Sequence, residues 1–406
     1  MSSNIYSATI LAVLSPAADS SVPVILRYLL VLAIGQNIGW GTVGLLAVLG
    51  STMAADLDLP QPMIFAGTSV FYVTMGLCAP LLGPAFVRFG ARTLLAAGSL
   101  VSALGFTLLA ASHGPMPYFL AWAILGLAGS ASLSTASHIA LNEALGPRAR
   151  NAIGLLMLAS GLSGTIFWPV TAYLAGLTDW RMICLIFAGL LLFAAALYAL
   201  GLPASQTHAT SAANTTDAPA PPAQTTFYLV AAAIALNAFV TFGFSAILIE
   251  LLKSLGVQTE MAVALASSLG IIQVTARAFD LLGGAKWDGL ATALVAAPAL
   301  VLSLILLLVF GASWTGVFGF ILVYGVGSGA LAVSRATMPL VFYDKADYAR
   351  ALTRIALPLN LISAAAPPAL IALLDGIGPQ AVLIASLICS GLALGLLVLL
   401  SQRRPA

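Results

Sequence analysis

The stretch PASQTHATSAANTTDAPAPPAQTT, residues 203–226, divides the chain into two halves. It consists mainly of Ala, Pro, Ser and Thr, which cannot bury enough apolar surface to form a packed core, so we predict a flexible linker. Six apolar runs precede it and six follow it, and most are about 20 residues long, which is the length that crosses the hydrocarbon core of a bilayer. The sequence therefore predicts an all-α integral membrane protein with twelve transmembrane helices in two pseudo-symmetric six-helix bundles.

The two predicted bundles cover residues 24–202 and residues 227–402. Their helices are bounded by charges, prolines and glycines, and we place them at 24–50, 61–87, 92–112, 116–142, 149–176 and 181–202, then at 227–252, 261–284, 289–311, 314–342, 350–374 and 379–400. Residues 1–23 are an N-terminal extension. Its short apolar run has no basic residue before it, so we do not expect a cleaved signal peptide.

The composition agrees with a membrane protein and excludes several other classes. Hydrophobic residues make up 61% of the chain and charged residues only 7%, whereas soluble domains carry about a quarter charged residues. The net charge of +2 and the scattered basic residues argue against nucleic-acid binding. The three cysteines lie far apart in apolar segments, without metal-ligand or CxxC spacing, and we interpret them as small buried hydrophobic residues.

Nothing in the sequence indicates an enzyme. The three histidines are scattered, and no cluster of His, Asp, Glu or Cys has the spacing of a metal site or a nucleophilic site. No glycine-rich phosphate loop ends in Gly-Lys-Ser or Gly-Lys-Thr. We therefore expect no cofactor and no metal, and we expect any transport to be driven by a gradient rather than by ATP.

The distribution of Lys and Arg predicts the orientation of the chain in the membrane. With both termini in the cytoplasm, the outer side holds only Arg181 and Lys253. The inner side then collects Arg27, Arg88, Arg92, Arg148, Arg150, Lys286, Lys345, Arg350, Arg403 and Arg404. Cytoplasmic loops carry such an excess of positive charge, so we predict an inner-membrane protein with cytoplasmic termini and a cytoplasmic linker.

The two halves repeat several polar positions. AIGQN places Asn37 in the first helix, and AIALN places Asn237 at the same depth in the seventh helix. The fifth and eleventh helices each begin near two arginines and contain proline further along; these residues are Arg148, Arg150 and Pro169, and Arg350, Arg354, Pro367 and Pro368. When a membrane protein is built from repeats, its solute site lies near the bilayer midplane where the repeats meet.

The loop between the second and third predicted helices carries a family signature. It reads GPAFVRFGAR, residues 83–92, and resembles the G-x-x-x-D-R-x-G-R-R loop of the major facilitator superfamily. Four positions match and two depart from the pattern; the matches are Gly83, Arg88, Gly90 and Arg92, while Val87 replaces the acid and Ala91 replaces a basic residue. The resemblance implies a secondary transporter that works by alternating access.

Three further stretches are similar to the monocarboxylate and oxalate-formate type transporters of that superfamily. They read IGWGTVG at 38–44, PRARNAIGLLMLASGLSG at 147–164 and QVTARAFD at 273–280. In that family the eighth helix carries the arginine that meets the substrate carboxylate, and Arg277 occupies the matching position. Many animal relatives have a lysine in the first helix, where this chain has the uncharged Gln36 and Asn37. The resemblance implies a small, monocarboxylate-like organic anion as substrate.

Two arginines lie deepest within the predicted helices. A charged side chain at the bilayer centre costs about 2.5 to 3.5 kcal/mol on insertion scales, so such a residue should face the bundle interior or a watery cavity. Arg277 is therefore a candidate for binding a carboxylate through two parallel hydrogen bonds, with a purely structural ion pair as the alternative. Arg335 follows the glycine-rich stretch GVGSG, and a cytoplasmic gate and a second anion contact are both consistent with its position.

Asp280 lies three residues after Arg277 and on the same helical face. Burial favours the neutral acid, whereas a neighbouring arginine favours the ion. A substrate that binds Arg277 would then release Asp280 to take a proton, which predicts Asp280 as the proton-coupling residue. The alternative is a structural role near the cytoplasmic end of the helix.

Three other polar residues lie within the predicted helices. Asn37 and Asn237 are candidates for hydrogen bonds to the solute, but amides also join neighbouring helices. His138 is able to titrate near neutral pH, but its position near several Ser and Thr residues favours a hydrogen bond to a neighbouring helix.

These observations predict a monomeric, proton-coupled carrier of a small organic anion. A proton-antiport exporter of drugs or metabolites is the alternative. Relatives of that kind carry a Gly-Pro pair in the middle of the fifth helix, where this chain reads SGLSG at 160–164. A non-transporting sensor or a channel is a third possibility, and the duplicated halves with interior arginines favour a carrier over both.

Overall fold

A computed structural model of the protein describes residues 22–146, 149–203, 224–282 and 287–404. Most of the predicted N-terminal extension and of the predicted linker lie outside these ranges, as do Arg148 and Lys286. Within them, all regular secondary structure is α-helical. The predicted all-α fold class is therefore confirmed.

Fifteen helices make up the described part of the chain. In order they are α1 (Val22–Val43), α2 (Leu46–Leu57), α3 (Gln61–Ala110), α4 (Pro115–Ser132), α5 (Ser134–Leu145), α6 (Ala149–Ser160), α7 (Ser163–Ala175), α8 (Trp180–Gly201), α9 (Gln224–Ser254), α10 (Thr259–Leu281), α11 (Gly289–Phe310), α12 (Trp314–Thr337), α13 (Pro339–Phe342), α14 (Lys345–Gly376) and α15 (Pro379–Ser401). Four predicted helices are interrupted, and each consists of two consecutive helices.

Helix α3 contains two membrane spans. Its 50 residues would be about 75 Å long at about 1.5 Å per residue, far more than a bilayer is thick. The interruption is at Gly90, whose φ of 75° and ψ of 158° are not helical. Only glycine adopts this conformation without strain. Gly90 therefore ends the second predicted helix and begins the third.

Ten helical stretches in the described residues are long and apolar enough to cross a membrane. One of them is α3, with its two spans. The helix α10, which carries Arg277 and Asp280, is not among the ten. Together with α10, the ten stretches correspond to the twelve helices predicted from the sequence.

The chain folds into two compact units. The first contains the described residues up to 203 together with Lys345–Leu357, and the second contains the described residues from 224 to Asp344 and from Pro358 to 404. The predicted division assigned all of residues 227–402 to the second bundle. Residues 345–357 depart from it because the start of α14 packs within the first unit.

The first unit is organised around α3, which packs against α4 and α8, while α1 packs against α6, α7 and α8. Its core contains fully buried aromatic side chains, among them Phe71, Phe106, Tyr118, Trp122 and Phe187. Small residues allow the helices to approach closely, as is usual in membranes.

The second unit is built from pairs of packed helices. Helix α12 packs against α10 and α11, and α15 packs against α9 and α11. Phe244, Phe320 and Tyr324 are fully buried and their ring centroids lie 5.0 to 5.9 Å apart. This aromatic cluster joins α9 to α12.

The packing of α3 against α4 depends on Gly126. A Cβ atom at this position would lie 2.9 Å from the Thr74 Cβ and would overlap the Phe71 carbonyl oxygen. We expect Gly126→Ala to destabilise the protein by about 1 to 3 kcal/mol, the usual cost of overpacking. Thermal unfolding in detergent measures the change, with Gly189→Ala as the control, because no atom lies within 4 Å of the added methyl group there. Equal unfolding temperatures for the two variants would contradict this packing.

Candidate functional site

Close packing between α10 and α12 sets the position of Arg277. A Cβ atom at Gly325 would lie 2.6 Å from Ile272 Cγ2, and one at Gly329 would lie 2.5 Å from the Gln273 carbonyl oxygen. Gln273 also donates from Nε2 to Ser328 Oγ at 2.9 Å. Arg277 follows Gln273 by one helical turn, so these contacts fix its height relative to α12.

Arg277 is partly exposed, and it forms no ion pair with any described residue. Its buried Nε atom has no hydrogen-bond partner in the described part of the chain. A guanidinium carries five N–H donors and no acceptor. Arg277 therefore keeps donors that an anion is able to use.

Arg335 lies in α12 and contacts α9. Its Nη1 atom donates to Thr241 Oγ1 at 3.4 Å, and its Cζ atom lies 4.9 Å from the centre of the Phe242 ring. Like Arg277, it is partly exposed and forms no ion pair with a described residue. Arg335 follows Ser328 by seven residues, about two helical turns, so it lies on the side of α12 that faces α10. Arg277 and Arg335 therefore lie on the facing sides of two packed helices within the second unit.

Asp280 has other partners than the one expected from its spacing. It is only 8% exposed, and its Oδ1 atom accepts hydrogen bonds from Trp287 Nε1 at 2.9 Å and from Thr292 Oγ1 at 2.5 Å. No ion pair joins it to Arg277 among the described residues. The expected pairing is absent because Trp287 and the first turn of α11 supply donors to the carboxylate.

The two asparagines that occupy equivalent positions in the sequence have different surroundings. Asn37 donates from Nδ2 to the carbonyl oxygens of Ala33 at 2.8 Å and of Ala159 at 3.1 Å, which ties α1 to α6. Asn237 is only 4% exposed, and its Oδ1 atom has no hydrogen-bond partner among the described residues. Asn37 thus joins two helices through its Nδ2 atom, and the Oδ1 atoms of both asparagines are buried without a partner among the described residues.

Gln36 is a polar position that the site predictions did not include. It is 1% exposed and donates from Nε2 to the Ser132 carbonyl oxygen at 2.8 Å and to the Tyr198 hydroxyl at 3.3 Å. Gly35 makes room for this contact, since a Cβ atom there would overlap the Tyr198 ring. The sequence feature that could have identified Gln36 as a candidate is an uncharged polar residue within an otherwise apolar run.

The interruption between α4 and α5 lies beside this network. Leu133 has an extended backbone, with φ of −91° and ψ of −156°, and the side chain of Ser134 accepts a hydrogen bond from Trp40 Nε1 at 3.0 Å. A small cavity nearby is lined mainly by apolar residues and by two hydroxyl groups, those of Thr42 and Ser102. This cavity has no charged lining residue, so it does not resemble an anion site.

His138 does not make the interhelical hydrogen bond expected for it. The residue is 6% exposed in α5, and no hydrogen bond joins it to another described residue. Glu143, five residues further on, accepts a hydrogen bond from the Ala91 amide at 3.2 Å. Glu143 therefore connects the end of α5 to the loop that carries the family signature.

The signature loop also has a close contact at Gly83. A Cβ atom there would lie 2.8 Å from Thr353 Oγ1 in the start of α14. Arg88 lies over the Phe89 ring, with 5.1 Å between its Cζ atom and the ring centre. The glycine thus serves close helix packing within the first unit.

Comparison with known proteins agrees with this architecture. The sequence profile described as Major Facilitator Superfamily matches residues 29–305. The chain belongs to the major facilitator superfamily. Proteins of this superfamily are transporters rather than enzymes, so the chain is a multi-pass membrane transporter. No curated protein matches the sequence significantly.

Solved transporters of the superfamily have a similar fold. The human organic anion transporter MFSD10 (TETRAN) is similar with a TM-score of 0.73 and 15% identity over 92% of this chain and 99% of its own. The proton:xylose symporter XylE, bound to 6-bromo-6-deoxy-D-glucose, has a TM-score of 0.69 and 13% identity over 91% of this chain and 94% of its own. The transporter FucP, in the outward conformation, has a TM-score of 0.70 and 14% identity over 91% of this chain and 98% of its own. At these identities the likeness shows the fold, and the monocarboxylate and oxalate-formate subtype rests on the short sequence motifs alone.

Proposed function

We propose that this transporter carries a small organic anion, with Arg277 as the group that binds a carboxylate. The observation that supports the proposal most is the state of Arg277, which is partly exposed, has a buried Nε without a described partner and forms no described ion pair. An arginine within a membrane span is costly unless a counter-charge or a hydrated cavity compensates it. A bound carboxylate supplies that counter-charge through two parallel hydrogen bonds.

Other observations agree with an anionic substrate. The motif QVTARAFD places Arg277 where monocarboxylate and oxalate-formate type transporters carry their substrate-binding arginine. The human transporter MFSD10, which has a similar fold, is an organic anion transporter. Asn237 and Arg335 belong to the same unit and remain candidate substrate contacts, and so does Asn37 through its unused Oδ1 atom.

Proton coupling is part of the proposal, with Asp280 as the proton-binding group. Its carboxylate is buried at the end of α10, one turn after Arg277. Trp287 and Thr292 both donate to Oδ1, so the carboxylate is held in place without a direct ion pair to Arg277. Substrate binding then influences Asp280 through the charge of Arg277 rather than by breaking a direct bond.

Ligand-induced stabilisation of the purified transporter tests the substrate class. A ligand that binds only the folded state raises the unfolding temperature, and the increase grows with the ratio of the ligand concentration to its dissociation constant. We expect carboxylates to raise it in the parent and not in Arg277→Gln, with neutral sugars and cationic drugs as the other members of the panel. Stabilisation by cationic drugs alone would instead support the drug exporter.

The proposed orientation places both termini and the linker in the cytoplasm of an inner-membrane protein. We expect a cysteine introduced at Ser211, in a variant whose three native cysteines are replaced, to resist a membrane-impermeant maleimide in intact cells and to react after permeabilisation. A cysteine at His113, next to Arg181, serves as the control and should react from outside. If residue 211 is labelled in intact cells, the linker lies outside the cell and the proposed orientation is wrong.

A further inference from the structure

The second unit contains two cationic side chains on helices that pack against each other. Arg277 in α10 and Arg335 in α12 are both partly exposed, and the two helices pack closely just before them, where Gln273 bonds to Ser328. Arg277 follows Gln273 by four residues and Arg335 follows Ser328 by seven, so both lie on the sides of these helices that face each other. Neither is paired with an acid among the described residues, and the carboxylate nearest in sequence, Asp280, bonds to Trp287 and Thr292 instead. The site therefore holds two positive charges that repel each other.

A single carboxylate would neutralise only half of this charge. Like charges in a poorly solvated site repel strongly, and each retains its desolvation cost until an anion compensates it. One negative group on Arg277 leaves Arg335 uncompensated. Two negative groups neutralise both arginines, so electrostatic complementarity favours a doubly charged ligand.

The contacts of Arg335 leave it able to bind an anion. The Phe242 ring covers one face of the guanidinium, with 4.9 Å between Cζ and the ring centre. The N–H groups point outwards in the plane of the guanidinium, so a contact on its face does not occupy them. Its one hydrogen bond to a described side chain, from Nη1 to Thr241 Oγ1, is long at 3.4 Å. The aromatic ring orients Arg335 while most of its donors remain available.

A neutral polar group lies one helical turn from this contact. Asn237 precedes Thr241 by four residues in α9, so the two lie on the same face. Asn237 is 4% exposed and its Oδ1 atom is buried without a described partner. A buried polar atom without a partner is costly, and a ligand hydroxyl or a protonated acid would satisfy it.

We propose that the transported solute carries two negative charges, one bound by Arg277 and the other by Arg335. This inference rests on the proposed function, because it extends the carboxylate site of Arg277. Small dicarboxylates and doubly ionised phosphonates share the required chemistry. Arg335 is then a specificity-determining residue that selects dianions over monoanions, and Thr241 and Phe242 position its guanidinium.

Binding of matched anions tests the proposal. The probes are succinate against monomethyl succinate, and methylphosphonate at pH 8.5 against its singly charged methyl ester, each titrated calorimetrically into the purified full-length transporter. We expect at least one dianion to bind about tenfold or more tightly than its singly charged partner, the effect of one additional charge-assisted contact. A preference for succinate identifies a dicarboxylate site, and a preference for methylphosphonate identifies a phosphate-like one.

Substitutions of Arg335 show whether this residue causes the preference. In Arg335→Gln we expect the dianion and its singly charged partner to bind with about equal affinity. The affinity for the monoanion should change less than about threefold. Arg335→Lys keeps the charge and should retain most of the preference, and Arg403→Gln at the exposed end of the chain should retain all of it. Because Arg335→Lys is the milder change, it also provides a test if the Gln variant unfolds.

The outcomes separate this inference from the function on which it rests. Equal affinities for the two members of both pairs in the parent would overturn the dianion proposal, while binding that is lost in Arg277→Gln would keep the carboxylate site. A preference that survives in Arg335→Gln would remove Arg335 from the site. Absence of binding by all four anions would contradict both proposals.

Discussion

Arg277→Lys is expected to reduce anion transport about 10- to 100-fold while leaving the yield of folded protein unchanged. Lysine keeps the positive charge but cannot form two parallel hydrogen bonds to a carboxylate. A hydrogen bond to a charged group contributes about 1.5 to 3 kcal/mol, and about 1.4 kcal/mol corresponds to a factor of ten. The measurement is initial uptake into proteoliposomes, normalised to the amount of monodisperse protein.

Arg403→Lys is the matched control for this variant. Arg403 is an exposed arginine after the last helix, so the same chemical change there should leave transport unaffected. If Arg277→Lys transports as fast as the parent, Arg277 does not bind the carboxylate through its planar geometry. A loss of folded protein equal to the loss of transport would indicate a structural role for Arg277.

Asp280→Asn is expected to retain substrate exchange and to lose acceleration by an imposed proton gradient. The amide resembles the protonated acid, and its Oδ1 atom can still accept from Trp287 and Thr292, because both donors meet the same oxygen. The folded structure should therefore persist. Uptake and counterflow at several pH values, with and without a proton gradient, measure the two activities separately.

The control for this variant is Asp288→Asn. Asp288 caps α11 by accepting from the amides of Leu290 and Ala291 on Oδ1, and asparagine is an equally good cap. It removes an acid at the start of α11 without removing the proposed proton site, so coupling should survive. If Asp280→Asn still responds to the gradient as the parent does, the proton binds elsewhere, and His138 and Glu143 are then the residues to test.

The helices were predictable from the sequence because lipid leaves few alternatives. Backbone groups in a bilayer must be satisfied within the chain, so each long apolar run has to be helical. The interruptions were not predictable in the same way. Leu133 is extended between two helices, and the Ser and Thr residues around it do not by themselves show where a helix ends.

Residue types within the site were predictable, but their partners were not. Arg277 and Arg335 stand out as charges in apolar helices, whichever way the helices are rotated. The partners of Asp280 depend on that rotation, and Trp287 and Thr292 lie seven and twelve residues further along the chain. Likewise, Asn37 and Asn237 look equivalent in sequence, yet only Asn37 is close enough to a neighbouring helix to bond to the Ala159 carbonyl.

Counterflow in proteoliposomes tests the central claim that the protein transports organic anions. Vesicles loaded with an unlabelled carboxylate should accumulate the labelled form transiently, and Arg277→Gln vesicles should not, because exchange requires the substrate site but no driving gradient. Mono- and dicarboxylates, a neutral sugar and a cationic drug form the panel. We expect counterflow of at least one carboxylate, and counterflow of the sugar or the drug without any carboxylate would show that the protein is not an organic anion transporter.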